Sequence, residues 1–171
     1  MTAAAIILGL VTLQRLAELV IAHRNTKALL ARGAHEAAPG HYPLIVAVHT
    51  LWLASLWWLA PGKSVSWPLI GLFLLLQLGR LWVLATLGRR WTTRIIVVPG
   101  EQLVARGPFR LVRHPNYLVV AGEIAILPLA FGLWPIALLF SLLNAAVLAV
   151  RIRAEERALA ASVPQRAQSG G

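Results

Sequence analysis

The sequence predicts an all-α integral membrane protein of about five transmembrane helices, the last two paired as a helical hairpin. Three observations carry that prediction. Of 171 residues, 58% are hydrophobic and the mean hydropathy is +0.73, more apolar surface than a soluble domain of this length can bury. The apolar residues fall in blocks at 2–22, 43–60, 67–87, 116–131 and 134–150, of the order of the 17–25 residues that cross a bilayer. The basic residues sit between the blocks. Counted from the segment after the first block to the tail after the last, Lys and Arg number 3, 1, 6, 0 and 4. That alternation follows the positive-inside rule, with the N-terminus outside and the long third segment and the tail in the cytoplasm.

The first block lacks the basic start and small-residue cleavage site of a signal peptide, so it is read as a span. It carries Gln14, Arg15 and Glu18; Arg15 and Glu18 lie one turn apart and can pair on one helix face. The second block, 43–60, follows a segment holding Arg24, Lys27 and Arg32, and residues 61–66, with Lys63 their one basic residue, separate it from the third. The third block carries Gln77 and Arg80, with Arg80 about two turns from the cytoplasmic end and within snorkelling reach of it. Gly88 to His114 then form a long loop with six arginines, punctuated by Pro99-Gly100 and Gly107-Pro108. Loops of that length are functional more often than not. Thr92 to Val98, "TTRIIVV", has strand-like composition.

The fourth block gains a turn from Pro115 and Asn116 and contains Glu123. A charge at that depth is costly and marks a pair or a site. No basic residue lies near it in sequence, so its partner must come from another helix, with Arg80 and Arg15 as the candidates. Gly132 and Leu133 make the hairpin turn. In the fifth block Asn144, Arg151 and Glu155 stand at spacings of seven and four, one polar stripe along a helix that "RIRAEERAL" carries beyond the bilayer. An amphipathic surface helix with exchangeable salt bridges would show the same spacing. Residues 1–161 read as one domain and 162–171 as a flexible tail.

The net charge of +10 would suggest nucleic acid on a soluble protein; here it sets orientation, and no nucleic-acid partner is expected. There is no cysteine, which excludes disulfides, thiolate metal sites and cysteine nucleophiles. No glycine-rich phosphate cradle, metal-ligand histidine spacing or nucleophile elbow occurs, so no metal is expected.

Two motifs remain, "GPFRLVRHPNY" and, about 35 residues later, "RIRAEERAL". Together they resemble the isoprenylcysteine carboxyl methyltransferase family of integral-membrane methyltransferases. "HRN", "LLARGAHE" and "HYP" in the N-terminal half look like its smaller bacterial branch, which includes proteins similar to alkylpyrone and alkylresorcinol O-methyltransferases. The resemblance implies a bacterial inner-membrane location and a cofactor-binding cytoplasmic loop. It also implies S-adenosyl-L-methionine bound without a Rossmann domain and transfer of its methyl group to an oxygen (carboxylate, enol or phenol) of a lipophilic or prenylated substrate from the bilayer. Carried over residue by residue, the cofactor wall would be Glu101, Gln102, Leu103 and Val104, then Phe109, then His114, Pro115, Asn116 and Tyr117, closed by Glu155; by charge, Arg113 or His114 can meet the carboxylate of that cofactor. Arg151 matches the family arginine placed toward the substrate and Asn144 shares its stripe, so Arg151 and Glu155 are the catalytic candidates. Phe109 stands where relatives have tyrosine, Leu118 where they often have glycine, and Arg94 where some have a polar cofactor contact. Membrane sterol reductases resemble the same C-terminal region and bind NADPH, which makes a reductase one alternative. A non-enzymatic lipid-binding protein is the other.

Overall fold

The computed structural model describes residues 2–99 and 104–162. Five helices carry the chain: α1 (Ala3–Leu30), α2 (Tyr42–Leu59), α3 (Trp67–Leu87), α4 (Pro115–Ala130) and α5 (Trp134–Ser162). Four of them are long and apolar enough to cross a membrane, and α4, at 16 residues, is the short one. The protein is an all-α integral membrane protein. At 1.5 Å per residue α4 covers about 24 Å, against about 30 Å of hydrocarbon.

The apolar blocks place the helices, but α1 and α5 outrun them, ending at Leu30 and Ser162. Hydropathy marks where lipid begins, whereas a helix continues as long as its residues favour it. The added turns of α1 are tied down by Asn25, whose side-chain amide donates to the carbonyls of Gly88 at 3.2 Å and Trp91 at 2.8 Å. The strand-like stretch yields only β2 (Ile96–Val97), antiparallel to β1 (His35–Glu36) with His35 opposite Val97. Ile95 and Val97 are nevertheless buried, so these residues form the floor of the arginine-rich end.

The α4–α5 turn depends on Gly132, which sits at φ +71°, a left-handed conformation that glycine adopts without steric cost. Its N–H donates to the Leu129 carbonyl at 2.9 Å, and that of Leu133 to the Pro128 carbonyl at 2.9 Å, which closes the helix end. Pro128 lies inside α4 and has no N–H, so the Ile124 carbonyl one turn earlier loses its helical partner. The indole of Trp52, on α2, donates to that carbonyl at 3.2 Å. A backbone group orphaned in the bilayer is thereby satisfied from a neighbouring helix. Helices α3 and α4 approach closely at Gly122, where a Cβ would come within 2.8 Å of Leu76; small residues allow such approach when apolar surface alone gives no drive to associate in lipid.

Along the bundle the interior is layered. At the end away from the loop, Leu8, Trp52, Leu56, Phe73, Leu127 and Phe131 form an apolar core. A polar layer follows. Glu123 accepts from Arg80 Nε at 2.8 Å, from Arg15 Nη2 at 2.7 Å and from Gln77 Nε2 at 2.7 Å, and also meets Arg80 Nη2. Glu18 accepts from Arg15 Nη1 at 2.9 Å, Arg80 Nη1 at 3.2 Å and Gln14 Nε2 at 3.0 Å. Two guanidinium groups thus face two carboxylates across three helices, and their charges cancel. Both candidate partners of Glu123 engage it together. Arg80 does not snorkel: it is 3% exposed and held by both carboxylates. Beyond this layer a second apolar cluster, Ala22, Val83 and Trp91 with Leu84, Leu87 and Phe109 against it, roofs the arginine-rich end.

Candidate functional site

Helix α4 begins at Pro115, whose fixed φ suits the first helical turn. The residue before a proline is pushed out of helical conformation, and His114 accordingly sits at φ −128°, ψ 65°. The R-H-P-N-Y run therefore turns from loop to helix at one point, and its side chains converge on a cavity of about 570 Å³. Such a volume lies within the roughly 300–1,000 Å³ of small-molecule sites.

Of the residues expected at a site, Val104, Phe109, Arg113, His114, Pro115, Asn116, Tyr117, Arg151 and Glu155 all line this cavity. Arg94 lines it too, but its guanidinium is engaged by Glu36 at 2.7 Å and lies 4.6 Å over the Tyr42 ring. The hydrogen bond that Arg94 donates to Glu36 raises the Arg94 pKa above its ordinary value. Arg94 thereby pins the two short strands and is not free for a ligand. Asn144 lies two helical turns from Arg151, 2% exposed and away from the cavity lining. Glu101, Gln102 and Leu103, like the tail beyond Ser162, lie outside the described residues.

The centre of the site is a relay between α4 and α5. Arg151 Nε donates to the Tyr117 hydroxyl at 2.8 Å, and that hydroxyl donates in turn to Glu155 Oε2. His114 stacks on the Tyr117 ring, with centroids 5.3 Å apart and planes at 19°, and His114 Nε2 lies 3.9 Å from Glu156. Arg151 is 8% exposed and, among the described residues, forms no direct ion pair. Buried charges are ordinarily paired, so a guanidinium held only through Nε leaves its two terminal amino groups for another anion.

Two further polar atoms are buried without a partner among the described residues, the Trp91 indole nitrogen and the Asn116 side-chain oxygen. Both residues line the cavity. Orphaned buried polar atoms are rare in folded proteins; here one unpaired donor and one unpaired acceptor belong to residues of the cavity wall. Trp91 escapes sequence reasoning, as do Leu29, Ile95 and Val97, which line the cavity beside it. The signal that could have found Trp91 is its setting, a lone tryptophan in "GRRWTTR" outside every apolar block.

Comparison with known proteins decides the family. The model of the isoprenylcysteine carboxyl methyltransferase (ICMT) family matches residues 69–161, which is α3 through α5 and includes the relay and the R-H-P-N-Y turn. The chain belongs to the ICMT family. It is a membrane methyltransferase. Two relatives extend the likeness over most of the chain. It is 37% identical over 167 residues to the uncharacterized protein YpbQ of Bacillus subtilis (strain 168), which covers 90% of this chain and 95% of that protein. It is 30% identical over 157 residues to an uncharacterized protein of Haemophilus influenzae, covering 88% and 91%. No solved structure matches the chain significantly. The ICMT match begins inside α3, so Asn25 and the α1 half of the polar layer lie outside it and Trp91 lies within it.

Proposed function

We propose that this ICMT-family protein is an S-adenosyl-L-methionine-dependent O-methyltransferase acting on a carboxylate, enol or phenol oxygen of a lipophilic substrate that enters from the bilayer. The observation that carries the reading is Arg151: a nearly buried guanidinium on the cavity wall, fixed through Nε and over its ring by Tyr117, with no direct ion pair among the described residues. Such a group stabilises an oxyanion in a water-poor site, where preorganised donors are worth the most.

The donor set suits the cofactor. Its carboxylate can be met by Arg113, and its ammonium or adenine N–H by the Asn116 oxygen. A ring nitrogen or ribose hydroxyl can accept from Trp91, and Phe109 and Tyr117 offer faces to the adenine and to the sulfonium cation. When bound, S-adenosylmethionine supplies an electrophilic methyl group on sulfur. The protein's share is alignment, which reaches about 7–11 kcal/mol in ideal systems, together with a held negative charge on the acceptor oxygen. A carboxylate acceptor arrives deprotonated. For an enol or phenol, Glu155 or His114 would take the proton, and the Tyr117 hydroxyl keeps Glu155 turned toward Arg151. Access from lipid is supported by Leu111 and Leu118, 75% and 63% exposed on either side of the R-H-P-N-Y turn, and by the shortness of α4, which sets that turn below the level reached by α5. Loop and tail on the cytoplasmic side of a bacterial inner membrane fit the arginine count.

The test is incubation of the purified protein in detergent with radiolabelled S-adenosylmethionine and a lipid extract, followed by mass spectrometry of any species that gains one CH₂. Label in a lipid is expected. Calorimetric titration with S-adenosylhomocysteine and with NADPH separates this reading from a reductase, and heat with NADPH alone would overturn it.

A further inference from the structure

A second concavity of about 520 Å³ opens beside the first and shares Leu87, Arg90, Val104 and Ala105 with it. Its rim carries Arg32, Arg89, Arg90 and Arg106 around Thr86. These arginines come from three separate segments: Arg32 follows α1, Arg89 and Arg90 follow α3, and Arg106 lies in the long loop. Arg32, Arg89 and Arg106 are exposed and enter no ion pair with described residues. Among the described residues no carboxylate lines this concavity.

The convergence is built into the backbone. Gly107 sits at φ +58°, and a Cβ there would lie 2.6 Å from Thr86 Oγ1. Only glycine lets the loop press onto the last turn of α3 in that conformation, and the contact fixes Arg106 beside Arg89. The positive-inside rule explains why arginines collect at this end of the bundle. It does not explain why Arg32, Arg89 and Arg106, from three distant segments, should meet round one hollow, where like charges repel. An anion would reverse that cost. The surroundings identify the level at which the anion sits: Leu30, Trp82 and Val112 are 44%, 49% and 44% exposed, and half-exposed tryptophan beside arginine marks the headgroup region of a bilayer.

We propose that this concavity is a phosphate site that seats the headgroup of an anionic phospholipid, with Arg32, Arg89 and Arg106 as its ligands. Because it shares a wall with the methyl-transfer cavity, the bound lipid lines the route by which a lipophilic substrate reaches Arg151. The site stands whether or not the neighbouring cavity takes S-adenosylmethionine, and its test needs no methyl donor.

The experiment is titration of the detergent-purified full chain with short-chain phosphatidylglycerol, followed by tryptophan fluorescence and by native mass spectrometry, with short-chain phosphatidylcholine and glycerol 3-phosphate in parallel. The anionic lipid should bind, and each of Arg32→Gln, Arg89→Gln and Arg106→Gln should weaken it about fivefold, the effect of one surface arginine on an anionic headgroup. Arg106→Lys keeps the charge and should keep most of the affinity. Arg110→Gln removes a charge from the same end outside the concavity and should leave binding within about twofold of the parent, by the same surface electrostatics. Equal binding of the zwitterionic lipid would overturn the proposal, as would an equal loss in Arg110→Gln. Competition by glycerol 3-phosphate at the concentration of the lipid would overturn its assignment to a lipid headgroup.

Discussion

The molecule buries charged groups in two places and treats them in opposite ways. In mid-bundle, Arg15, Arg80, Glu18 and Glu123, with Gln14 and Gln77, are closed on one another. At the arginine-rich end, Arg151 is held by one hydroxyl, and Trp91 and Asn116 each bury an atom with no partner among the described residues. Both sets are expensive to build in or near a bilayer. The closed set offsets its own desolvation and ties three helices together, whereas the open set is stabilised only when something else completes it. The comparison teaches how to separate framework from site among buried charges: ask which donors and acceptors are already spent.

The largest effect expected from breaking the comparison is at Glu123. Glu123→Ala leaves Arg80 and Arg15 with one carboxylate between them, and removal of one partner of a buried pair costs about 3–5 kcal/mol. Thermal unfolding in detergent should show that loss, or the variant should fail to accumulate in the membrane. Arg151→Ala comes next and acts on the other quantity. It should lower methyl transfer about 10²–10³-fold, the range for removing one oxyanion donor, with a melting temperature close to the parent's. If Arg151→Ala unfolds the protein while Glu123→Ala only slows it, the two regions have been assigned the wrong way round.

Much of this division was legible in the sequence, though not evenly. The five blocks predict the five helices because lipid demands a continuous apolar run, and Glu123 announces its partners because no charge near it in sequence could serve. The hairpin is readable from Gly132, and the R-H-P-N-Y turn from its proline. The setting of Trp91 outside every apolar block is legible, but its burial is not. Its burial depends on Val83 and Ala22 from two other helices, and nothing local to "GRRWTTR" encodes that packing. The pairing of Pro128 with Trp52 was equally hidden, since a missing N–H in α4 has a geometric remedy on α2 that no periodicity reports. Snorkelling of Arg80 was a fair local expectation, overridden by two carboxylates whose proximity is tertiary.

That remedy gives the third test. In Trp52→Phe an aromatic ring remains but the Ile124 carbonyl loses the indole donor, and a buried acceptor deprived of its partner costs about 1–3 kcal/mol. The double variant Trp52→Phe with Pro128→Ala restores an N–H at residue 128 and should recover part of that loss, measured as a melting temperature. Recovery would show that the indole acts by completing a helix ladder; a melting temperature no higher than that of Trp52→Phe alone would show that it acts by packing.

The smallest effect is the sharpest discriminator, because it predicts opposite signs for stability and for binding. The Trp91 indole N–H is buried without a partner among the described residues, and an unpaired buried donor lowers stability. Trp91→Phe keeps an aromatic ring against Val83, Ala22 and Phe109 and deletes that donor. The free protein should therefore melt at the parent temperature or slightly above it. Affinity for S-adenosylhomocysteine should fall about 5–10-fold, the worth of one hydrogen bond of about 1 kcal/mol or slightly more. Trp52→Phe removes the same indole N–H from the closed part of the molecule and should do the reverse, lowering the melting temperature and sparing the affinity. Calorimetry and thermal unfolding on the two tryptophan variants thus compare identical chemical deletions in framework and in site. A common response in both would mean that Trp91 belongs to the framework and that its indole faces no ligand.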